Sequence, residues 1–176
     1  MIPSSDKRAE EEDKKIITGK KVAYLGIFLS LAIILSYVEA LIPFPFPIPG
    51  MKLGLANLSV VTAMYYFGEK EAFAVSLLRI IIIGVMFGTG YSLIYSLCGG
   101  LLSFGVMAII KRLSFGVIPV SLSGGIAHNT GQIGAAAVLL GTGYIAYYLP
   151  VLLIAGAVTG GVIGLLAGIV IKRVKI

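Results

Sequence analysis

Residues 144–173 read YIAYYLPVLLIAGAVTGGVIGLLAGIVIKR, with no charged side chain before Lys172 and Arg173. A helix needs about 20 mainly apolar residues to cross about 30 Å of hydrocarbon, so this stretch predicts a membrane-spanning helix. Apolar runs of comparable length, about 16 to 27 residues, recur along the chain. The 176-residue chain is 58% hydrophobic with a mean hydropathy of +1.02. A soluble domain of this size cannot bury so much apolar sequence, so we expect an integral membrane protein.

Charged residues, glycines and prolines divide the apolar sequence into six segments. The predicted helices cover about residues 21–42, 51–67, 71–87, 91–110, 115–140 and 144–171. Four alternating prolines between Pro43 and Pro49 separate the first two helices, because proline cannot continue a helix. The predicted fold class is all-α: a polytopic membrane protein with one bundle of six transmembrane helices over residues 20–176. Residues 1–19 predict a charged tail, either disordered or folded as a short surface helix.

The loop charges predict the orientation of this bundle. The loop at 69–71, the Lys111–Arg112 pair and the C-terminal residues 172–176 would all lie on one side. The loops on the other side, at 43–50, 88–90 and 141–143, carry no charge. The positive-inside rule then places both chain termini in the cytoplasm. The net charge of +6 is thus interpreted as a signal of membrane orientation, with no role in binding nucleic acid.

Few ionisable residues lie within or beside the apolar segments, away from the tail and the charged loops. They are Glu39, Lys52, Arg79 and His128. A charge at mid-bilayer costs about 2.5 to 3.5 kcal/mol, so such residues usually face the bundle interior and serve function. Glu39 can pair with Lys52 or with Arg79, and the sequence leaves both pairings open.

Polar side chains at similar depth predict a pocket in the half of the membrane that faces outside. The predicted substrate-binding residues are Glu39, Lys52, Asn57, Arg79, Tyr91, Tyr95, His128, Asn129 and Gln132. Helix 5 contributes three of them within five residues, which favours a cavity wall over simple helix-to-helix contacts. Two cations against one anion predict a small-molecule ligand with an anionic group.

The motifs of several enzyme classes are missing from the sequence. It has no Walker A loop and no acidic cluster within the apolar segments for Mg²⁺ and a diphosphate. One histidine and one cysteine, Cys98, do not make a metal site or a disulfide. We therefore expect neither enzymatic activity nor a bound metal or cofactor.

Small residues recur at four-residue spacing on two predicted helices. Helix 6 carries Gly156, Gly160, Gly164 and Gly168, a pattern that favours close helix packing inside the bundle. Helix 1 carries Gly26 and Ser30, which serve either internal packing or the docking of a partner membrane protein.

Three short runs resemble a known bacterial family. They are PGMKLGLANL at 49–58, SLCGGLLS at 96–103 and AHNTGQ at 127–132. Together they resemble the Gx transporter family, which is also labelled heptaprenyl diphosphate synthase component I. The six-helix pattern over about residues 20–172 is similar, more broadly, to the substrate-binding S-components of energy-coupling factor transporters.

This resemblance implies a subunit of the bacterial cytoplasmic membrane that captures a vitamin-like or precursor molecule from outside. It implies two kinds of partner, a membrane coupling (T) subunit and cytosolic ATPase subunits, which would explain the missing Walker motif. It also implies that Phe44 and Phe46 form the apolar face of a lid, and that Gly26 and Ser30 dock the coupling subunit.

Three other functions remain open at this point. An autonomous secondary transporter predicts an internal repeat, and helices 1–3 show no convincing similarity to helices 4–6. A membrane subunit of an isoprenoid enzyme predicts turnover of a prenyl diphosphate. A non-catalytic assembly protein would leave the polar residues of helix 5 without a ligand.

Overall fold

The computed structural model describes residues 5–41 and 54–174, with side chains from Thr18 onward except at positions 40 and 146. The proline run, Lys52, Phe44 and Phe46 lie outside the described residues. The predictions made for these positions therefore stay predictions.

The described chain folds into six α-helices and contains no strand, as the sequence predicts. The helices are α1 (Ser5–Leu41), α2 (Asn57–Tyr66), α3 (Glu69–Phe87), α4 (Gly90–Arg112), α5 (Val117–Leu140) and α6 (Leu149–Arg173). A 3₁₀ segment, Gly143–Tyr148, joins α5 to α6.

Three helix boundaries differ from the predicted ones. Helix α1 begins at Ser5, so most of the charged tail continues the first helix. Helix α2 begins at Asn57, not near residue 51, because Gly54 has a φ of 77° and the chain turns there before the helix starts. Helix α6 begins at Leu149 after the 3₁₀ segment, with Pro150 in its first turn, where a proline costs no hydrogen bond.

Three helical stretches are long and apolar enough to cross a membrane. They are Thr18–Glu39 of α1, together with α4 and α6. These three stretches indicate that the protein associates with a membrane. The other helices differ for physical reasons: α2 has ten residues and rises about 15 Å, α3 carries four charged residues, and α5 carries the polar set around His128.

Neighbouring helices pack in a ring, in the order α1, α2, α6, α5, α4, α3 and back to α1. The short α2 also contacts α3 and α5, and so occupies a central position. Its side chains Val60, Val61 and Met64 are fully buried in the main hydrophobic cluster, together with Met107 and Val120 from α4 and α5. The core therefore surrounds α2 along its short length.

The glycines of α6 pack against α5, which confirms internal packing for three of the four. A Cβ atom at Gly156 would lie 2.6 Å from the Gly125 carbonyl oxygen, and one at Gly160 would lie 2.6 Å from the Ser121 carbonyl oxygen. Gly164 meets α5 in the same way, whereas a Cβ at Gly168 would meet open space. Backbone-to-backbone contact of this kind needs glycine, and it fixes the position of α5 relative to α6.

The polar loops meet at one end of the ring, which we call the charged end. Lys21 of α1 binds Glu71 of α3 at 2.5 Å, and Arg112 of α4 binds Glu69 of α3 at 2.5 Å. The Lys111 ammonium donates to the Met64 carbonyl oxygen at 2.5 Å, beside the C-terminus of α2. These contacts bring together the start of the apolar part of α1, the end of α2, the start of α3 and the end of α4.

The C-terminus of α6 lies at the same end. The Tyr66 hydroxyl donates to the Val174 carbonyl oxygen at 2.5 Å, just beyond Lys172 and Arg173. The sequence predicts that the basic loops lie on one side of the bundle. Within the described residues, their basic groups lie at the charged end.

Candidate functional site

A cavity of about 190 Å³ opens among the helices at the end of the ring opposite the charged end. Its walls come from the last turns of α1, the start of α2, the second half of α3, the first turns of α4 and the middle of α5. The lining residues are Ser36, Glu39, Gly54, Asn57, Arg79, Ile80, Ile83, Gly84, Phe87, Gly88, Ser92, Ser96 and His128.

Arg79 is the cationic group of this lining, among the described residues. Its Nη1 atom lies 3.4 Å from the Ser36 hydroxyl oxygen, at the long limit of a hydrogen bond. Its Nε atom is buried and has no hydrogen-bond partner among the described residues. A guanidinium presents five N–H donors in a planar fork, so most of this capacity is available to a ligand.

Glu39 provides the matching anion and fixes the turn before α2. The side chain is only 6% exposed, and its Oε1 atom accepts a hydrogen bond of 2.6 Å from the Gly54 backbone N–H. Arg79 lines the same cavity, so the two opposite charges face a common space. The ion pairs of the described residues do not include one between Glu39 and Arg79, and Lys52 lies outside the described residues. The choice between these two cations as the partner of Glu39 therefore stays open.

The start of α2 faces the cavity through Gly54 and Asn57. The Asn57 N–H donates to the Gly54 carbonyl oxygen at 2.8 Å, which closes the turn. The residue before the helix, Ala56, has no side chain that can cap the first N–H groups. These groups carry the partial positive charge of the helix dipole and add to the positive field of Arg79.

His128 lies between this cavity and a second, much smaller one. The smaller cavity, about 10 Å³, holds about one water molecule. It is lined by Gly54, Asn57, Ser121, Gly125, His128, Asn129, Thr159, Gly160 and Ile163. The Asn129 amide donates to the Leu152 carbonyl oxygen at 2.7 Å, so this side chain links α5 to α6.

The structure brings together four of the nine predicted substrate-binding residues, Glu39, Asn57, Arg79 and His128. Asn129 lines only the smaller cavity. Tyr91, Tyr95 and Gln132 lie outside the lining of both cavities: Tyr91 is 63% exposed, and Gln132 packs against Gly99 of α4. The ninth residue, Lys52, lies outside the described chain.

Helix α4 shows why the two tyrosines miss the cavity. It faces the cavity with Ser92 and Ser96, which are four residues apart and therefore share one face. Tyr91 and Tyr95 precede these serines by one residue each, so they point about 100° away. The two tyrosines therefore lie at the level of the cavity along α4, and the rotation of the helix turns them away from it.

Sequence reasoning missed other lining residues that follow helical spacing from the charged pair. Ser36 lies three residues before Glu39 on α1, and Ile83 and Phe87 lie four and eight residues after Arg79 on α3. Ile80, directly after Arg79, also lines the cavity but does not follow this spacing. The i, i+3 and i+4 pattern around a buried charge was the signal that could have found them.

Gly26 and Ser30 lie on an exposed face of α1. A Cβ atom at Gly26 would meet nothing within 4 Å. Large apolar side chains share this exposure, among them Val22, Ile27, Ile34 and Leu41. The docking role predicted for Gly26 and Ser30 stays a prediction, and their exposure leaves them accessible to lipid or to a partner.

Comparison with known proteins gives one match. A family model described as heptaprenyl diphosphate synthase component I matches residues 28–170. This range holds every residue that lines either cavity. No curated protein and no solved structure matches the chain.

Proposed function

The chain belongs to the heptaprenyl diphosphate synthase component I family, and from this premise we propose that it is the substrate-binding membrane subunit of an energy-coupling factor type uptake transporter. The word component in the family's description implies that the protein works with other subunits. The proposed partners are a membrane coupling subunit and cytosolic ATPase subunits, which would supply the energy.

The proposed topology has six membrane spans with both termini in the cytoplasm of a bacterium. The meeting of the basic loops at one end of the ring supports this orientation, because positive loops stay on the cytoplasmic side. Helix α2 rises about 15 Å, which is about half of the hydrocarbon thickness. The cavity then faces the outside.

The cavity at the uncharged end is the observation that carries the proposal. A volume of about 190 Å³ is many times the volume that one water molecule needs, which suits a small solute or the polar end of a larger one. Polar groups from five helices converge on it while apolar side chains of α3 line the rest, as in pockets that bind small molecules.

The polar groups favour a solute with an anionic end, such as a carboxylate or a phosphate. Arg79 offers a planar fork of donors that matches either group. The N-terminus of α2 faces the same cavity and adds the positive end of its helix dipole. Glu39 beside Arg79 opposes the binding of several negative charges at once. In this mechanism the protein binds the solute and does no chemistry on it, so the chain is not an enzyme.

Native mass spectrometry of the gently purified protein tests the proposal. We expect a discrete bound mass that is lost in Arg79→Ala and retained in Arg112→Ala, which removes the same type of side chain at the charged end. A bound mass that survives Arg79→Ala would contradict the site. Protein that stays empty after incubation with vitamin and isoprenoid pools would contradict the function.

The family's description also supports a second candidate, a membrane component of a prenyl diphosphate synthase. This function predicts that the purified protein, alone or with its partner subunits, elongates a prenyl diphosphate. Glu39 is the carboxylate of the cavity lining among the described residues, so Glu39→Gln would abolish that turnover. Turnover that depends on Glu39 would replace the uptake proposal.

A further inference from the structure

Helix α6 presents a continuous apolar stripe on the outside of the ring. Its members are Val151, Ile154, Val158, Val162, Leu165 and Ile169, each between 51 and 66% exposed. Steps of three and four residues keep them on one helix face, while Gly156, Gly160 and Gly164 on the other side pack against α5. The stripe therefore marks the side of α6 that faces away from the protein.

The two ends of this stripe differ in chemistry. At the charged end it stops at Lys172 and Arg173. At the other end it runs into the 3₁₀ segment, whose tyrosines Tyr144, Tyr147 and Tyr148 are 78, 81 and 46% exposed. The 25 residues of α6 rise about 37 Å, which is enough to cover about 30 Å of hydrocarbon between the two polar boundaries.

Local structure holds these tyrosines at the surface. Helix α5 ends at Gly141, whose φ of 62° turns the chain, and the Thr142 hydroxyl then accepts a hydrogen bond of 3.3 Å from the Tyr144 N–H. The Tyr144 and Tyr147 rings stack with centroids 6.4 Å apart. The result is an uncharged surface with apolar ring faces and polar hydroxyl tips.

We propose that the 3₁₀ segment Gly143–Tyr148 binds the phospholipid headgroup region of the leaflet opposite Lys172 and Arg173. A tyrosine suits this boundary because its ring enters the acyl region while its hydroxyl stays among the headgroups. Exposed Tyr37 and Tyr91 lie at the same end of the ring. The tyrosines therefore set the depth of α6, as the basic pair does on the other side.

Continuity with the lipid-facing stripe favours lipid over a partner protein as the occupant of this surface. Such a partner would have to cover the tyrosines and leave the adjoining stripe to lipid. This inference concerns a lipid contact, so it stands whichever solute the cavity binds.

The chain has no tryptophan, so single substitutions introduce a unique fluorescent probe. Tyr147→Trp and Tyr144→Trp report on the 3₁₀ segment. Val158→Trp is the matched control, because Val158 lies on the stripe about 14 Å beyond Leu149, the first residue of α6. Each full-length variant is placed in phosphatidylcholine vesicles whose acyl chains carry bromine either near the headgroup or near the chain end, and quenching is measured with iodide as the aqueous quencher.

We expect shallow bromine to quench Tyr147→Trp and Tyr144→Trp about twofold more strongly than deep bromine, because aromatic side chains of this kind lie near the headgroups. Val158→Trp should show the reverse order. Strong iodide quenching of both probes without bromine quenching would place the segment in water and overturn the proposal. Protection of both probes from iodide and bromine would show that protein covers them, and would overturn it as well.

Discussion

The two ends of the ring satisfy their charged groups to different extents. At the charged end Glu69 and Glu71 each accept a short hydrogen bond from a cation, and Lys111 meets a backbone carbonyl. At the cavity end Arg79 makes a long contact to Ser36, and its buried Nε has no hydrogen-bond partner among the described residues. A buried donor without an acceptor lowers stability. A ligand that accepts a hydrogen bond from Arg79 would remove this loss at the cavity end.

Replacing the charges of the cavity end should separate binding from stability most strongly. We expect the double variant Arg79→Met, Glu39→Gln to lose solute retention at least about 30-fold, because one partner of a buried charge pair is worth about 2 to 5 kcal/mol to a ligand. Its thermal stability should match or exceed that of the parent, since apolar groups often replace buried charges without loss. Occupancy in native mass spectra and thermal unfolding in detergent measure the two effects.

The single variant Arg79→Met is the comparison for that experiment. It removes Arg79 and keeps the Glu39 carboxylate, so it should unfold at a lower temperature than the double variant if Arg79 stabilises that carboxylate. Equal stability of the two variants would mean that the buried Glu39 carboxylate does not depend on Arg79 for its stability.

A smaller effect is expected from the wall that α4 contributes. Ser96→Val adds a branched apolar group to a cavity of about 190 Å³ and should weaken solute retention about tenfold. Tyr95→Phe, one residue earlier, removes a hydroxyl outside the cavity and should leave retention unchanged. The opposite ranking would mean that α4 is rotated by about one residue relative to the described structure.

The smallest effect is expected at the charged end. The hydrogen bond from Lys21 holds the pKa of Glu71 below its ordinary value of 4.5, so the ion pair stabilises the fold fully above that pH and loses this contribution as the pH falls through the lower folded pKa. Glu71→Gln should cost about 0.2 to 1 kcal/mol at pH 7, as exposed pairs do. Thermal unfolding should show that the difference in stability between Glu71→Gln and the parent shrinks toward pH 3. Solute retention by the variant should equal that of the parent at each pH.

The helices and the depth of the site followed from patterns that depend on one-dimensional spacing. Apolar runs between glycines, prolines and charges predicted six helices, and the placement of Glu39, Arg79 and His128 within those runs indicated the cavity end. The four-residue glycine spacing of α6 likewise predicted close packing inside the bundle, and three of the four glycines pack against α5. These features need only the helical period and the cost of buried charge.

Features that depend on a single backbone torsion or on helix rotation could not be predicted in this way. The positive φ of Gly54 turns the chain before α2 starts at Asn57, and Gly54 lines the cavity. Nothing in the sequence around Gly54 distinguishes it from the many other glycines. The choice between Tyr95 and Ser96 as a wall residue depends on how α4 turns toward α3 and α5, which tertiary packing decides.

The ten residues of α2 lie between the two ends of the bundle. The C-terminus of α2 is at the charged end, and its N-terminus is at the cavity. Removing or adding one helical turn at the N-terminus of α2 would move this wall of the cavity by about 5 Å. The ion pairs of the charged end would stay in place. Insertions or deletions beside Gly54 alone would therefore change the length of the solute that fits the cavity. In such a bundle the length of the cavity can change without any change in the contacts that hold the charged end together.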